Sequence, residues 1–227
     1  MHKFGTLLAL ATVSACGLVG VGIGPVSASN SHTHQGTHGL VTQVFSTAQS
    51  RFDQHVLNQG WWSDRNIQDK HNDNYIVGAC CGKDQHYRDF FTFDLSELRA
   101  HVVSAQLRVN TGLIRGQGVH TLGLFDVSTP AEIVNTSREK SPEIFNDLGT
   151  GTSYGTFEFT RSQAGDWVNL SLNRSAIKDM NDSRGDYFTV GGRLLSLIEG
   201  KGKNFVFGAS QETVTRLVLR TTPTPHR

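Results

Sequence analysis

The chain has little cysteine and no surplus of charge of either sign. Its 227 residues include three cysteines, and 21 Lys and Arg face 20 Asp and Glu. A near-neutral chain lacks the excess of basic residues through which proteins bind nucleic acids or anionic membranes. It also lacks H-E-x-x-H and the glycine loop ending in Lys-Ser/Thr that cradles phosphates. We therefore expect no nucleic-acid partner. Because the sequence contains no complete catalytic motif that we recognise, enzymatic activity stays uncertain, and a binding protein is favoured.

The N-terminus predicts export. A short basic start, Met1–Lys3, precedes an apolar stretch over residues 4–24, and Pro25-Val26-Ser27-Ala28 then offers small residues at a cleavage position. We predict a signal peptide over residues 1–28 and a secreted, extracellular protein without membrane insertion after cleavage. A retained anchor is the alternative, although five glycines weaken the stretch as a spanning helix. A second alternative is lipidation at Cys16, because Val13–Cys16 fits a bacterial lipoprotein box.

Beyond a polar segment at residues 29–40, which predicts a flexible start, short β-type runs alternate with turn clusters. The clearest run is 102–110, in which Val103, Ala105, Leu107 and Val109 alternate with polar residues. One stretch is typical of a helix, with Asn173 or Ser175 as its cap. The pattern predicts an all-β fold, an antiparallel two-sheet β-sandwich of the jelly-roll type with one short helix, over residues 41–222 as a single domain. A closed barrel is the competing architecture, and we expect residues 223–227 to be a disordered tail.

Three segments resemble a known class of bacterial modules. They are Asn58–Ser63 leading to Tyr75, Tyr87–Ser96 followed by Val103–Arg108, and Leu124–Pro130 with Leu148–Gly151 beyond it. Together they are similar to exported β-sandwich surface modules, including DNRLRE-type jelly rolls and proteins that carry a PEP-CTERM sorting tail. The resemblance implies a jelly-roll fold and a place beside polysaccharide-active proteins. It implies no catalytic residues, and this chain lacks the Pro-Glu-Pro motif of the sorted proteins.

The two cysteines left after signal cleavage are adjacent, Cys80 and Cys81. Neighbouring cysteines cannot cross-link distant strands. Free thiols, a vicinal disulfide and pairing with another chain all remain open, and export favours an oxidised state.

A polar segment at residues 63–74 follows two tryptophans and predicts a ligand-binding loop. Trp61 and Trp62 could stack on sugar rings, while the polar residues that we assign to ligand binding accept bonds from hydroxyl groups: Asp64, Asp69, His71 and Asp73. Asp69, Asp73 and Asn74 could alternatively hold Ca²⁺, although their spacing does not match an EF-hand. The competing interpretation is that the tryptophans plug one end of the sandwich and the loop is merely solvated.

Three functions follow from these features. The first is a secreted, non-catalytic module that binds carbohydrate, with a polysaccharide or a cell-surface glycan or matrix component as its partner. The second is a polysaccharide lyase or hydrolase of jelly-roll type. His86, Tyr87 and Arg88, close to Asp84, are the residue types that neutralise a uronate and move a proton, and their alternative role is that of salt-bridging surface residues. The third is a structural protein of the extracellular matrix.

Overall fold

Twelve strands, three short α-helices and one 3-10 helix make up the part of the chain that the structure describes. The computed structural model describes residues 39–48, 52, 57–65, 73–81, 85–136, 140–198, 200 and 202–223. All of them belong to the unit Ser31–Arg227. The strands are β1 (Val41–Ser46), β2 (Gln59–Ser63), β3 (Val77–Ala79), β4 (His86–Asp94), β5 (Val102–Asn110), β6 (Leu113–Arg115), β7 (His120–Asp126), β8 (Ser153–Phe159), β9 (Trp167–Ser171), β10 (Tyr187–Leu194), β11 (Asn204–Gly208) and β12 (Arg216–Thr221). The helices are α1 (Ala131–Thr136), α2 (Pro142–Asp147), the 3-10 helix (Arg161–Gln163) and α3 (Arg174–Asp182).

The strands form two antiparallel sheets. The smaller sheet has the order β1-β12-β5-β9. The larger one runs β6-β11-β3-β4-β10-β7-β8 and curls into a half-barrel, with β2 paired to β4. The predicted all-β, two-sheet sandwich is therefore confirmed. Within the described residues, no helix is both long and apolar enough to cross a membrane.

The main core lies between the two sheets and follows the two-residue period of their strands. On β4, Phe91 and Phe93 point into this core, whereas Phe90 belongs to a separate cluster on the other face. On β5, Leu107 and Val109 are fully buried while Arg108 between them is exposed. The predicted faces of β4 and the second half of β5 are thus as expected.

The first half of β5 departs from the predicted alternation. Val103 is 43% exposed, whereas Val102 is fully buried. The register against β12 shows why, because Arg220 pairs with Ser104 and the next residue, Thr221, pairs with Val102. Val103 is therefore the extra residue of a β-bulge, and a bulge reverses the faces of the residues before it. The prediction that Val103 shares the buried face was wrong for this reason.

Two short helices cover the outer face of the larger sheet near β2 and β4. Trp62 and Phe90 pack there against Val134 of α1 and Ile144 of α2. The chain of α2 comes so close to β10 that a Cβ on Gly191 would lie 2.5 Å from the carbonyl oxygen of Leu148. Glycine at this position therefore permits the contact between helix and sheet.

The predicted helix after β9 is present as α3. The Asn173 side chain accepts hydrogen bonds from the backbone N–H groups of Ser175 and Ala176, as an N-cap does. Ala176 and Met180 are buried on its inner side. Helices α1 and α2 were not predicted, because six residues carry too little periodicity. Ser141 capping α2 with Pro142 directly after it is the local signal that could have found the second.

Candidate functional site: two adjoining cavities at the edge of the larger sheet

The strands β6 and β11 form one edge of the larger sheet, and the 3-10 helix lies beside β6. Backbone bonds hold this arrangement. The N–H of Thr111 donates to the carbonyl of Asp166 at 2.8 Å, and the N–H of Gly165 donates to the carbonyl of Gly112 at 2.8 Å. The segment that carries Arg161 is therefore fastened to the chain that enters β6.

A cavity of about 450 Å³ opens at this edge. This volume is within the range of small-ligand sites. Its lining combines cationic and amide side chains with a single aliphatic one: Arg115, Gly116, Gln117, Arg161, Ile198, Lys203 and Asn204. Guanidinium, ammonium and amide groups offer many hydrogen-bond donors, which suits an oxygen-rich ligand.

A buried histidine lies behind the lining of this cavity. His120 is 1% exposed, and its Nδ1 lies 3.0 Å from Oδ1 of Asn204. Because the Oδ1 of Asn204 can only accept, we assign the proton to Nδ1; Nε2 then keeps its lone pair and has no hydrogen-bond partner among the described residues. Burial lowers the pKa of His120, opposed by the Asn204 bond and assisted by Arg161, so the imidazole is neutral near pH 7. The ring fits because residue 116 is glycine, where a Cβ would lie 2.6 Å from Cε1 of His120.

A second cavity, of about 230 Å³, adjoins the first through Lys203, which lines both. We call the first the larger cavity and the second the smaller cavity. Its other lining residues are Ala79, Cys80, Cys81, His86, Gly200 and Gly202. Cys80 and Cys81 are joined by a vicinal disulfide in the structure. His86 faces Asp64, with Nδ1 of the ring 3.5 Å from a carboxylate oxygen. The same carboxylate accepts the backbone N–H of His86 at 3.1 Å, so the two residues hold each other in place.

The two tryptophans of the predicted binding loop lie on β2 and point to opposite faces. Trp62 is fully buried, and its indole N–H donates to the carbonyl of Val134 at 3.2 Å. A ring without an open face cannot stack on a sugar, so the structure does not support that role for Trp62. Trp61 is half-buried and meets Tyr87 edge to face at 4.9 Å. It packs against the cluster that contains Cys80, next to the smaller cavity.

The polar residues predicted as ligands or Ca²⁺ donors are only partly brought together. Asp69 and His71 lie outside the described residues. Both carboxylate oxygens of Asp73 accept the backbone N–H of Glu212, at 3.0 and 3.1 Å, and Asn74 accepts from Ser210. These two side chains fasten the segment before β3 to the loop after β11. In the described part of the chain, no three His, Cys, Asp or Glu side chains cluster as metal ligands.

The residues considered for a lyase do not converge. Asp84 lies outside the described residues, and Tyr87 packs on Trp61. The Arg88 guanidinium donates to the carbonyls of Phe145 and Asn146, at 2.7 and 2.9 Å, at the end of α2. Burial, with Arg193 nearby, lowers the pKa of Arg88 to about 10, so it stays a cation at neutral pH. Arg88 thus stabilises the negative end of α2 and is not available to a ligand.

A G-x-S-x-G pentapeptide, Gly151–Gly155, is the pattern of a serine nucleophile elbow, but its surroundings differ. Ser153 begins β8, an antiparallel strand that pairs with β7. An elbow places its serine on a sharp turn from a strand into a helix, and here a strand follows the serine instead. The pentapeptide therefore does not mark a nucleophile.

No protein-family model matches the sequence, and no curated protein matches it either. The resemblance to DNRLRE-type and PEP-CTERM-associated modules therefore stays a prediction.

The larger cavity was not predicted from the sequence, because Arg115, Arg161 and Lys203 are far apart along the chain. The one local signal is Arg115-Gly116-Gln117-Gly118, a turn that carries a charged and an amide side chain between glycines.

Proposed function

We propose that the protein is an exported, non-catalytic module that binds carbohydrate, with a polysaccharide or cell-surface glycan as its partner. The observation that carries the proposal is the pair of adjoining cavities that share Lys203. A sugar chain presents a row of hydroxyl groups, and two adjoining cavities with amide and cationic donors can bind several of them at once. The vicinal disulfide and the His86–Asp64 contact give the smaller cavity fixed walls.

Trp61 is the one aromatic of the predicted loop that remains a candidate for a sugar contact. It is half-buried, so part of its ring stays open while Tyr87 supports its edge. An aromatic ring held in one orientation gives contact area at a low entropic cost. We assign it to the rim of the smaller cavity and assign Trp62 to the core.

Binding of the purified protein to a panel of neutral and acidic polysaccharides tests the proposal, by calorimetry or affinity electrophoresis. Gln117→Ala changes an exposed side chain of the larger cavity, and Gln211→Ala is its matched control in an exposed loop. We expect the first variant to bind about tenfold less tightly, for the loss of hydrogen bonds worth about 1 kcal/mol each, and the second to bind as wild type. Failure to bind any polysaccharide would remove the proposal.

The same incubations separate the enzymatic alternative. A lyase produces unsaturated ends that absorb in the ultraviolet, and a hydrolase produces new reducing ends. The proposed module leaves the polysaccharide unchanged in length. A structural matrix protein would instead form concentration-dependent oligomers, which analytical ultracentrifugation detects.

A further inference from the structure

The larger cavity concentrates positive charge in a chain that is nearly neutral as a whole. Among the described residues that line it, three side chains are cations, Arg115, Arg161 and Lys203, and none is an acid. The whole chain carries a formal net charge of +1. All three residues are exposed at their positions. A local surplus of this kind in a balanced chain marks a place where an anion is attracted.

These cations are not neutralised within the described part of the protein. The ion pairs found there join His86 to Asp64, and Lys178 to Asp179 and Asp182. None involves the three cavity cations. The Arg115 guanidinium reaches only the carbonyl of Ile114, at 3.4 Å. Their donors are therefore open to the cavity and to a ligand in it.

The layer behind the cavity adds a second, independent observation. Nε2 of His120 is buried without a partner, and the ring edge next to it lies against Gly116 of the lining. The Nδ1–H of the same ring occupies Oδ1 of Asn204, a lining residue, so the donor that this amide has to offer a ligand is its NH₂ group. His120 thus acts as a positioning residue for Asn204.

We infer that the larger cavity is the subsite for an anionic group of an acidic polysaccharide, a carboxylate or a sulfate ester. The inference rests on the proposed function and deepens it. A guanidinium fork binds a carboxylate or sulfate through two parallel hydrogen bonds, and two such forks and one ammonium group line the cavity. Gln117 and Asn204 provide the neutral contacts that fix the neighbouring sugar hydroxyls. Neutral sugars lack the group that the three cations attract.

Matched pairs of polymers test the inference with the full protein. Polygalacturonate is compared with its fully methyl-esterified form, and dextran sulfate with dextran, so that each pair differs only in charge. The variants are Arg115→Gln, Arg161→Gln and Lys203→Gln, and Arg216→Gln on the exposed side of β12 is the control for net charge. We expect binding to a charged member and not to its neutral partner. Each cavity variant should bind about tenfold less tightly or worse, with Arg216→Gln unchanged, and added salt should weaken binding.

The outcomes are distinguishable. Preference for the carboxylate or for the sulfate identifies the source of the anion, and either supports the inference. Equal affinity for charged and neutral members overturns the inference but leaves the proposed function standing. An equal loss in Arg216→Gln and the cavity variants also overturns it, because that result means diffuse attraction to the whole surface. Binding to no polymer at all, neutral or charged, overturns both.

Discussion

Asp89→Asn should make the protein more stable at neutral pH, and the effect should grow with pH. Asp89 lies on β4, opposite Trp61 of β2 and Gly192 of β10, and is fully buried. Among the described residues, neither carboxylate oxygen has a hydrogen-bond partner from another residue. Burial raises the pKa of this carboxyl well above its usual range, and its own backbone N–H acts in the opposite direction.

The magnitude follows from proton linkage. Unfolded, Asp89 loses its proton near pH 4, whereas the folded protein retains it up to the raised pKa. Between these two limits the folded state binds one more proton than the unfolded chain. The free energy of unfolding therefore falls by about 1.4 kcal/mol for each pH unit. Asparagine keeps the shape and has no proton to lose, so the Asp89→Asn variant lacks this slope.

Urea unfolding followed by tryptophan fluorescence between about pH 4 and pH 8 measures the difference between the two proteins. His120, whose lowered pKa makes stability rise with pH up to about 6.5, contributes equally to both and cancels. Asp166→Asn removes an exposed carboxylate and is the control, expected to follow wild type. Parallel stability curves for wild type and Asp89→Asn would instead mean that Asp89 is ionised and compensated in the fold.

Three further predictions concern packing and covalent structure. Gly191→Ala should destabilise the protein by about 1–3 kcal/mol in urea unfolding, because its Cβ would strike Leu148; an unchanged midpoint would contradict the close approach of α2. Trp62→Ala should cost about 3–5 kcal/mol by leaving a cavity under α1 and α2, and a near-neutral effect would mean that the ring is not buried. Cys80 and Cys81 should resist alkylation until a reductant is added, as peptide mass spectrometry shows; labelling before reduction would exclude their disulfide.

Sequence periodicity predicted the fold where each strand has one buried face. It failed where the outcome depends on a partner strand. The bulge at Val103 arises from the pairing of β5 with β12, and the residue types of β5 alone do not indicate it. Strand β2 escaped prediction because Trp61 and Trp62 are adjacent and both apolar, which hides alternation. Each ring meets a different cluster, one beside Tyr87 and one under the helices.

The candidate site was harder to predict than the fold, since its residues come from three separate segments. Arg115 ends β6, Arg161 begins the 3-10 helix, and Lys203 precedes β11. Only the pairing of β6 with β11, and the bonds that fasten the 3-10 helix beside them, brings these side chains to one cavity. Of the residues that the sequence singled out, Trp61 and Asp64 lie beside the smaller cavity, Asp64 through its contact with His86.

NMR can show whether an acidic sugar chain binds in the two cavities. Titration of the ¹⁵N-labelled protein with polygalacturonate oligosaccharides should shift the backbone amide signals of the two cavities, foremost Arg115, Gln117, Arg161 and Asn204. The signals of β1 and β12, in the other sheet, should stay in place. Shifts confined to that other sheet, or no shifts at any ligand concentration, would mean that the two cavities do not bind this ligand.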